Sequence, residues 1–485
     1  MSPSRSPSPP SRKATAAIAL VAALLAAPGG VPHPPRSFTI VASGDVLVHR
    51  RIAEIAGNNS GDANRPDFAP MLARVEPWIT PADLAICHLE GTLTTADTGH
   101  LFYPRFVVPD EIAPAIASAG FDTCSTAGNH SLDAGEDGVV ATLDALDAAG
   151  VRHDGTARTP QERDPGLYRV GSAAVTVAHI SYTFGLNGRP VPEDKPWAVN
   201  LIDADAILAD AVAARKAGAE FVIVSLHWGR ERVVNPTPAQ RELAEALLGS
   251  DSVDLILGTH AHVVQPVERI NGKYVVYGMG NFLSNQNSAH GEEYYGTEDG
   301  VIVHIRITEQ GDGSFAATGL RITPTWVHLH DYVVYPTDDA IARDDSAARA
   351  AASRDRTVER VGRLDAGIAA LTPTPWPEIS CLGMLATIVG TAGSDVLVGT
   401  PGNDVIVGRS GDDTILAGEG DDIVCGGGGA DNLASGPGRG ILLGGDGDDV
   451  LGGPHSALLI GGAGTDACHG GFFLLGCERG GGRHP

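Results

Sequence analysis

Short apolar runs alternate with helical segments through the first two thirds of the chain. Runs that end in a polar or glycine-containing segment predict strands at residues 38–42, 83–87, 121–125, 173–180, 221–226, 253–257, 274–277 and 301–307. The segments between them predict helices at residues 137–149, 204–217 and 238–248, and the start of a helix at residues 50–56. Strands that alternate with helices are typical of a layered α/β domain.

Residues of metal-ligand type follow five of these predicted strands. They are Asp45, Glu90, Asn129, His130, His227, His260 and His262. Ligand sites of an α/β sheet form beyond the carboxyl ends of its strands, so we expect the seven side chains to converge in one cleft. Carboxylate, amide and imidazole groups without a thiolate fit one or two divalent transition-metal ions, Mn, Fe or Zn.

Each of these residues also has a structural alternative. Asp45 could cap a helix, Glu90 could pair with an arginine such as Arg105, and Asn129 could form a turn. A single pair of histidines one residue apart, such as His260 and His262, is more often structural than metal-binding. The repetition of such residues at several strand ends favours the metal site.

From Gly390 to Gly452 the chain consists of consecutive nine-residue units. The fourth position of each unit is glycine and the eighth is apolar, and the sixth is Gly440 in one unit. In the other six units the sixth position is Asp395, Asp404, Asp413, Asp422, Asp431 and Asp449. The pattern resembles the repeats of RTX-type parallel β-rolls, in which aspartates and turn carbonyls bind Ca²⁺ and apolar residues fill a thin core.

The repeats carry two further expectations. Gly440 interrupts the aspartates, so we expect one calcium position to be lost, and the pattern slips after Gly452 before it partly resumes with Asp466. Without calcium the stacked aspartates repel one another, so this segment should be loose or unfolded. The alternative is a glycine-rich linker without fixed structure, which the strict register disfavours.

Length and charge limit the class of protein. A chain of 485 residues is too long for one hydrophobic core, so we expect at least two domains. Its net charge of −25 argues against a nucleic-acid partner and fits a secreted protein or a cation binder. Residues 1–13 are rich in Ser, Pro and Arg and precede an apolar run at residues 14–27, which predicts a secretory signal peptide. An uncleaved membrane anchor is the alternative.

The chain has six cysteines, an even number that indicates disulfides in an exported protein. Cys87 and Cys124 lie on predicted neighbouring strands, where a disulfide or two buried thiols would fit. For the repeat segment we infer two pairings from position, although the sequence does not determine connectivity. These pairings are Cys381 with Cys425 and Cys468 with Cys477.

The motifs that contain the ligand-type residues resemble those of the CapA-type proteins of poly-γ-glutamate capsule biosynthesis, within the calcineurin-like metallophosphoesterase superfamily. They are GDVLVHR, DLAICHLEG, DTCSTAGNHSLDAG, VSLHWG, GTHAHVVQP and VVYGMGNF, and the resemblance covers about residues 38–324. The resemblance implies a four-layer α/β/β/α sandwich with a dinuclear metal centre.

The resemblance also implies individual roles. Asp45 and His262 would bind the first metal, Glu90 would bridge both, and Asn129, His227 and His260 would bind the second. The opening D-x-H of the superfamily is missing, and His49 stands four residues after Asp45 as a further candidate ligand.

A metal-dependent reaction follows from these roles. A metal-bound water would attack an ester or amide centre, with His130 as the acid for the leaving group and Asn129 beside it. Arg105 and Asn281 are candidates to bind substrate or to support the metal ligands, with a surface salt bridge and a turn as their alternatives. The resemblance points to γ-linked glutamate polymer or a wall-linked precursor as substrate.

These expectations combine into a two-module exported protein. We predict a signal peptide and linker at residues 1–35, a CapA-like domain at 36–330, a helical segment with a Pro-rich linker at 331–380, and a calcium-binding β-roll at 381–485. The predicted function is a metal-dependent enzyme that acts on a cell-envelope polymer. The alternatives are a non-catalytic capsule- or wall-binding protein and a general phosphoesterase.

Overall fold

The computed structural model describes residues 36–477 except residues 63, 95–98, 172–173, 342–346, 365–379, 383, 391–393, 455 and 472. The predicted signal peptide and the Pro-rich linker at residues 372–377 lie outside the described residues. The chain divides into an α/β unit, Arg36–Pro375, and a repeat unit that includes Trp376–Pro485. Among the described helices, none is long and apolar enough to cross a membrane.

The α/β unit alternates strands with helices, as its apolar pattern predicts. Its strands are β1 (Ser37–Val46), β2 (Leu84–Leu89), β3 (Thr92–Thr94), β4 (Val107–Pro109), β5 (Thr123–Ser125), β6 (Arg152–Asp154), β7 (Gly166–Val170), β8 (Val175–Thr183), β9 (Phe221–His227), β10 (Leu255–Thr259), β11 (Val267–Ile270), β12 (Lys273–Val276), β13 (Asn281–Leu283), β14 (Asp299–Glu309), β15 (Phe315–Val327) and β16 (Val334–Pro336). Its α-helices are α1 (Arg50–Ser60), α2 (Ala69–Leu72), α3 (Glu76–Ile79), α4 (Ile112–Ser118), α5 (Gly135–Ala149), α6 (Ala204–Lys216), α7 (Pro238–Leu248), α8 (Thr337–Ile341) and α9 (Ala347–Val361). Two short 3-10 helices lie at Ser288–His290 and Glu292–Tyr294.

These strands form two large sheets. The eight-stranded sheet has the order β16-β15-β14-β1-β2-β5-β6, with β13 also paired to β1. The six-stranded sheet has the order β11-β12-β10-β9-β8-β7. The neighbours β1, β2, β5 and β6 are parallel, and so are β8, β9, β10 and β12. Parallel neighbours end at the same edge of a sheet, so the segments that follow them lie side by side.

The sequences of these strands are apolar at consecutive positions because the strands are buried on both faces. In β1, Ile40 joins a cluster that contains residues of both sheets, and Val41 points to the opposite side, into a cluster with α1 and α4. In β9, Ile223 joins the shared cluster and Val224 packs with α6 and α7. Because side chains alternate along a strand, each strand contributes to two cores.

Local sequence signals set the ends of the helices. Helix α5 ends at Gly150, whose φ is 78°, a left-handed conformation that glycine adopts without strain. The side chain of Asp203 accepts a hydrogen bond from the amide of Ala206 at the start of α6. Helix α7 begins with a capping box between Thr237 and Gln240, next to Pro238. These signals confirm the predicted ends of the three helices to within two residues.

The repeat unit contains two parallel sheets. Its strands are β17 (Ser380–Cys381), β18 (Met384–Leu385), β19 (Ile388–Val389), β20 (Val396–Val398), β21 (Val405–Ser410), β22 (Thr414–Leu416), β23 (Ile423–Gly428), β24 (Asn432–Ala434), β25 (Ile441–Asp446), β26 (Val450–Gly453), β27 (Leu458–Ala463), β28 (Ala467–Gly470) and β29 (Phe473–Leu475). One sheet has the order β19-β21-β23-β25-β27-β29, and the other has the order β20-β22-β24-β26-β28. Successive nine-residue units therefore enter alternate sheets, as in a parallel β-roll.

The strand register follows the sequence repeat. Val405 pairs with Ile423 and Ile423 with Ile441, a step of 18 residues, whereas Ile441 pairs with Leu458, a step of 17. The predicted slip after Gly452 is thus one missing residue in a coil.

Gly438 shows why glycine recurs at the fourth position of the units. Gly438 has a φ of 139°, and a Cβ there would lie 1.8 Å from the carbonyl oxygen of Gly420.

The six cysteines form three disulfides, as the sequence indicates. Cys87 in β2 joins Cys124 in β5, and Cys381 in β17 joins Cys425 in β23. Cys468 in β28 joins Cys477. All three pairings agree with those inferred from position.

Candidate metal centre

The candidate ligands of the α/β unit lie where parallel strands of the two sheets end. Asp45 is near the end of β1, His227 ends β9, Glu90 directly follows β2, and His260 directly follows β10. Their side chains are buried, with relative exposures between 0 and 4%. Buried charged groups need partners or a metal ion, so this cluster is unusual for a structural core.

Asp45 and His262 form a close ion pair within the cluster. The Nδ1 atom of His262 lies 3.2 Å from Oδ2 of Asp45 and 3.0 Å from Oδ1 of Asn281. Burial alone would raise the pKa of Asp45, but the hydrogen bond and charge of His262 outweigh it and lower that pKa. Burial would likewise lower the pKa of His262, whereas the charge of Glu90 and the hydrogen bond of Asp45 raise it to about 10.

Glu90 lies between two imidazoles without a hydrogen bond to either. Its Oε1 atom is 3.8 Å from Nε2 of His227 and 3.8 Å from Nε2 of His262. Among the described residues, neither carboxylate oxygen has a hydrogen-bond partner, so the alternative pairing with Arg105 is not formed. Burial raises the pKa of Glu90 to about 7. Leaving a buried carboxylate without partners is costly unless a cation completes its contacts.

His88 belongs to the cluster although the sequence analysis did not select it. Its ring stacks on that of His227 with 4.6 Å between centroids, and its Nε2 atom is 3.9 Å from Oδ1 of Asp45. Its Nδ1 atom lies 2.8 Å from the hydroxyl of Ser125. The predicted strand stopped at residue 87, whereas β2 continues through Leu89 and carries His88 to the strand end. Its spacing of two residues from Glu90 was the available signal.

The ligand atoms divide into two groups of three, each within 4.8 Å of one another: Asp45, His88 and His227, and Glu90, His260 and His262. The ring nitrogens Nε2 of His88 and Nδ1 of His260 are buried, and the described part of the chain offers them no hydrogen-bond partner. Burial lowers the pKa values of His88 to about 4 and of His260 to about 3. Neutral imidazoles with a bare nitrogen and two carboxylates fit a site for one or two divalent ions.

Asn129 and His130 lie beside these groups. Oδ1 of Asn129 is 3.1 Å from Nε2 of His227. Nδ1 of His130 is 2.6 Å from Oδ2 of Asp133, which fixes the orientation of the ring. His130, Glu90 and His262 all line one cavity of about 300 Å³. The predicted neighbourhood of His130 and the ligands is therefore present.

His49, Arg105 and Asn281 each have hydrogen-bond partners of their own within the α/β unit. His49 lines the cavity outside both groups, and its Nδ1 atom accepts a hydrogen bond from the amide of Asn285 at 3.3 Å. Arg105 is exposed and donates from Nε to the carbonyl oxygen of Asp133 at 3.1 Å. Asn281 donates to the carbonyl oxygen of Thr297 at 2.8 Å and contacts His262. These contacts give Arg105 and Asn281 supporting roles, and substrate binding by either stays a prediction.

The cavity contains a cation that the sequence analysis did not select. Arg232 lines it together with Glu231 and Tyr294. The Arg232 backbone has a φ of 60°, and its amide donates to the carbonyl oxygen of Ala261, between two candidate ligands, at 2.7 Å. Its guanidinium carbon lies 4.6 Å from the centre of the Tyr294 ring. Strained backbone of this kind clusters at functional sites.

The aspartates of the repeat unit form a second set of candidate ligands. One carboxylate oxygen of Asp413 accepts the amide of Asp395 at 2.8 Å, and one oxygen of Asp431 accepts the amide of Asp413 at 2.8 Å. Burial raises the pKa values of Asp422 and Asp431 to about 6. Buried carboxylates stacked along a roll fit the hard, oxygen-ligated Ca²⁺ ion.

Two family matches cover most of the chain. Residues 39–286 match the family described as bacterial capsule synthesis protein PGA_cap. Residues 389–424 match four copies of the RTX calcium-binding nonapeptide repeat.

Curated relatives match about half of the chain. The PGA biosynthesis protein CapA of Bacillus subtilis is 24% identical over 286 residues, which is 58% of this chain and 70% of that protein. A probable polyglutamine synthesis accessory protein of Mycobacterium tuberculosis is 28% identical over 255 residues, 48% of this chain and 64% of that protein. The aligned part of this chain thus spans about two thirds of either relative.

Solved structures are similar at lower identity. A calcineurin-like phosphoesterase, YfkN, of Bacillus subtilis is 15% identical with a TM-score of 0.37, over 67% of this chain and 99% of that one. A phosphatase of Mycoplasma pneumoniae is 14% identical with a TM-score of 0.36, over 60% and 94%. At these scores the two structures carry no weight for function.

Proposed function

The chain belongs to the PGA_cap family of bacterial capsule synthesis proteins, and from this we propose a metal-dependent hydrolase or transferase that acts on a cell-envelope polymer. The observation that carries the proposal is Glu90, a fully buried carboxylate without hydrogen bonds that stands between the imidazoles of His227 and His262. A metal-free core would not leave this group unpartnered, whereas a carboxylate that would hold a metal ion has this arrangement.

The two groups of three residues would each hold one ion. Asp45, His88 and His227 form one, and Glu90, His260 and His262 form the other. Divalent ions supply a Lewis acid and an activated water near neutral pH when bound in such sites. The nitrogen and oxygen donors indicate a divalent transition metal of the class of Mn, Fe or Zn.

The other residues of the cavity provide proton transfer and positioning. His130 is oriented by Asp133 and would protonate the leaving group from Nε2. Asn129 is placed by its contact with His227. Asn281 fixes the ring of His262 through Nδ1 and so leaves Nε2 directed towards Glu90.

The layer order of the α/β unit fits the calcineurin-like metallophosphoesterase superfamily. Three buried clusters support a four-layer α/β/β/α sandwich: one shared by the two sheets, one with α1 and α4, and one with α6 and α7. In this arrangement strands of both sheets supply ligands to one cleft, as the calcineurin-like metallophosphoesterases do.

The names of the relatives indicate the substrate class that we propose. One is a PGA biosynthesis protein and another a polyglutamine synthesis accessory protein, so a γ-linked glutamate chain or a wall-linked precursor is the proposed substrate. Such a chain carries one carboxylate per residue. Arg232 in the cavity is the cation that would meet one of them.

The proposed location is outside the cell or at its surface. RTX repeats and capsule relatives support it, and residues 1–35 would supply a signal peptide or a retained anchor. Calcium concentrations outside cells suit the weak sites of extracellular modules.

Elemental analysis of the full chain beside a His260→Ala/His262→Ala variant tests the metal centre. We expect one or two transition-metal ions in the parent and few in the variant, while His100→Ala, which changes a half-buried histidine outside the candidate ligand groups, keeps them. If the double variant binds as much metal as the parent, the metal is not bound at this site.

Turnover distinguishes the proposed enzyme from a non-catalytic polymer-binding protein. Hydrolysis of poly-γ-glutamate chains or of a wall precursor should be lost in His130→Ala while the bound metal remains. Metal without turnover in the parent on any such polymer would instead support the alternative, a non-catalytic polymer-binding protein.

A further inference from the structure

The aspartates of the repeats lie on two different edges of the repeat unit, because successive units enter alternate sheets. The first edge precedes the strands of the five-stranded sheet and carries Asp395, Asp413, Asp431, Asp449 and Asp466. The second edge precedes strands of the six-stranded sheet and carries Asp404 and Asp422, followed by Gly440 and Ala457. The single aspartate column of the sequence is therefore two columns, and calcium can be assigned to each separately.

The first edge is uniform along its length. The amide of Asp431 donates to Oδ1 of Asp449 at 2.9 Å, and the amide of Asp449 donates to Oδ1 of Asp466 at 3.0 Å. Each of Asp413, Asp431, Asp449 and Asp466 is only 1% exposed. Within the described part of the chain, Oδ2 of each of these four has no hydrogen-bond partner.

The unpartnered oxygens face the turns rather than the apolar core. Oδ2 of Asp413 lies 2.2 Å from the position that a Cβ of Gly408 would take, and Oδ2 of Asp449 lies 2.2 Å from that of Gly444. Glycine at the first position thus leaves room for the carboxylate beside the turn backbone. Four buried carboxylate oxygens in one row, next to backbone carbonyls, have the donor chemistry of Ca²⁺.

The second edge satisfies its first aspartate with hydroxyl groups. Oδ2 of Asp404 accepts hydrogen bonds from the amide of Thr400 at 2.7 Å and from its hydroxyl at 2.9 Å. Oδ1 of Asp404 accepts from the hydroxyl of Thr387 at 3.0 Å. Both oxygens have partners, so a cation is not needed to compensate the burial of this carboxylate.

Further along the second edge no more aspartates occupy the sixth position of the units, and Arg439 lies nearby. Gly440 and Ala457 take the places of the next two aspartates and offer no oxygen from a side chain. The amide of Arg439 donates to Oδ1 of Asp421 at 2.7 Å, and its guanidinium Nη2 lies 3.3 Å from Oδ2 of the same residue. Asp422 is the one acid of this edge with an unpartnered oxygen among the described residues.

We propose that calcium binds with high affinity along the first edge only, in the four gaps between its five aspartates. On the second edge, Thr387 and Thr400 satisfy both oxygens of Asp404. Gly440 and Ala457 offer no side-chain oxygen, so among the described residues the open oxygen of Asp422 has no second open carboxylate beside it along this edge. The proposal goes beyond the function of the α/β unit and does not depend on it. It differs from the expectation that Asp404 and Asp422 bind calcium like the other aspartates, because the structure places neighbouring units on opposite edges.

Equilibrium dialysis of the full chain against ⁴⁵Ca²⁺ tests the proposal through the number of ions bound. We expect about four high-affinity ions in the parent, and a loss of one or two in Asp431→Asn, since each aspartate borders two gaps. The matched variant Asp404→Asn should bind as many ions as the parent. Circular dichroism in excess calcium checks that each variant is folded.

Two outcomes would overturn the assignment. One is an equal loss of ions in Asp404→Asn and Asp431→Asn, which would place calcium on both edges. The other is a parent that binds no calcium at millimolar concentration. If Asp431→Asn does not fold, Asp466→Asn at the end of the column replaces it, with an expected loss of one ion.

Discussion

The two units collect acidic groups for cations in opposite ways. In the α/β unit, Asp45 and His260 are 215 residues apart in sequence and meet because strands of two sheets end at the same place. In the repeat unit, Asp413 and Asp431 are 18 residues apart and meet because one coil stacks on the next. The first site needs the whole unit to be folded, whereas the second is built by local repetition.

The hydrophobic cores of the two units also differ, because one is built from distant elements and the other from successive repeats. Three of the buried clusters in the α/β unit fill both sides of its two sheets, so its fold does not depend on a metal ion. The interior of the repeat unit is a row of single apolar residues, such as Ile415, Val424 and Leu433. A core this thin buries little apolar surface, so cation binding should contribute a larger share of the stability.

Chelation of calcium should give the largest difference between the units. With EGTA we expect the repeat unit to unfold because its buried carboxylates lose their compensating charge, while the α/β unit remains folded. Hydrogen exchange followed by mass spectrometry reads each unit separately. Equal protection of the repeat unit with calcium and with EGTA would contradict the dependence on the ion.

Removal of one ligand should affect the two units unequally. His260→Ala should weaken transition-metal binding by roughly 100-fold or more, since even the partners of metal ligands are worth about 10–100-fold. Asp413→Asn should leave the outer calcium positions bound, because they do not share this carboxylate. Competition with a fluorescent chelator measures both. A comparable partial loss in both variants would mean that the two sites are built alike.

Asp154 should lower the stability of the α/β unit as the pH rises towards neutrality. Asp154 accepts hydrogen bonds from the amides of Ser181 at 2.8 Å and Gly166 at 3.1 Å, and burial raises its pKa to about 7 from the ordinary value of 3.8. The folded state therefore holds this proton more tightly than the unfolded state. Its contribution to the free energy of unfolding falls between about pH 4 and pH 7, by up to about 4 kcal/mol.

Urea unfolding at pH 5 and pH 8 in excess calcium checks this effect. The fluorescence of four tryptophans reports the α/β unit: Trp78, Trp197, Trp228 and Trp326. Between pH 5 and pH 8, Asp154→Asn should lose less stability, or gain more, than the parent, whereas the exposed control Asp339→Asn should behave as the parent does. If Asp154→Asn keeps the full pH dependence of the parent, another group is responsible.

The smallest expected effect concerns the cavity cation. Arg232→Ala should raise KM for a glutamate polymer by roughly 10-fold with little change in kcat, the result for a charge-assisted contact that is equally strong in ground and transition states. Arg230→Ala, which changes an exposed neighbour, is the matched control. A fall in kcat at constant KM would instead place Arg232 among the groups that act on the transition state.

The motifs predicted much of the metal centre because each one sits at a strand end. Asp45, Glu90, Asn129, His227, His260 and His262 were all identified from short apolar runs followed by ligand-type residues. His88 was missed because the length of β2 depends on its pairing with β1 and β5, which extends the strand beyond its apolar run. Arg232 was missed because nothing in its local sequence shows which cavity it lines.

The sequence by itself determined the strand and helix pattern, the ligand-type residues after the strands, and the nine-residue repeat. These depend on local periodicity and turn chemistry, which neighbouring residues specify. The tertiary structure alone decided that His88 joins Asp45, that Asn281 supports His262, and that the aspartates separate onto two edges. Such contacts depend on which distant strands become neighbours, and the burial that leaves Glu90 without partners arises only once both sheets have packed.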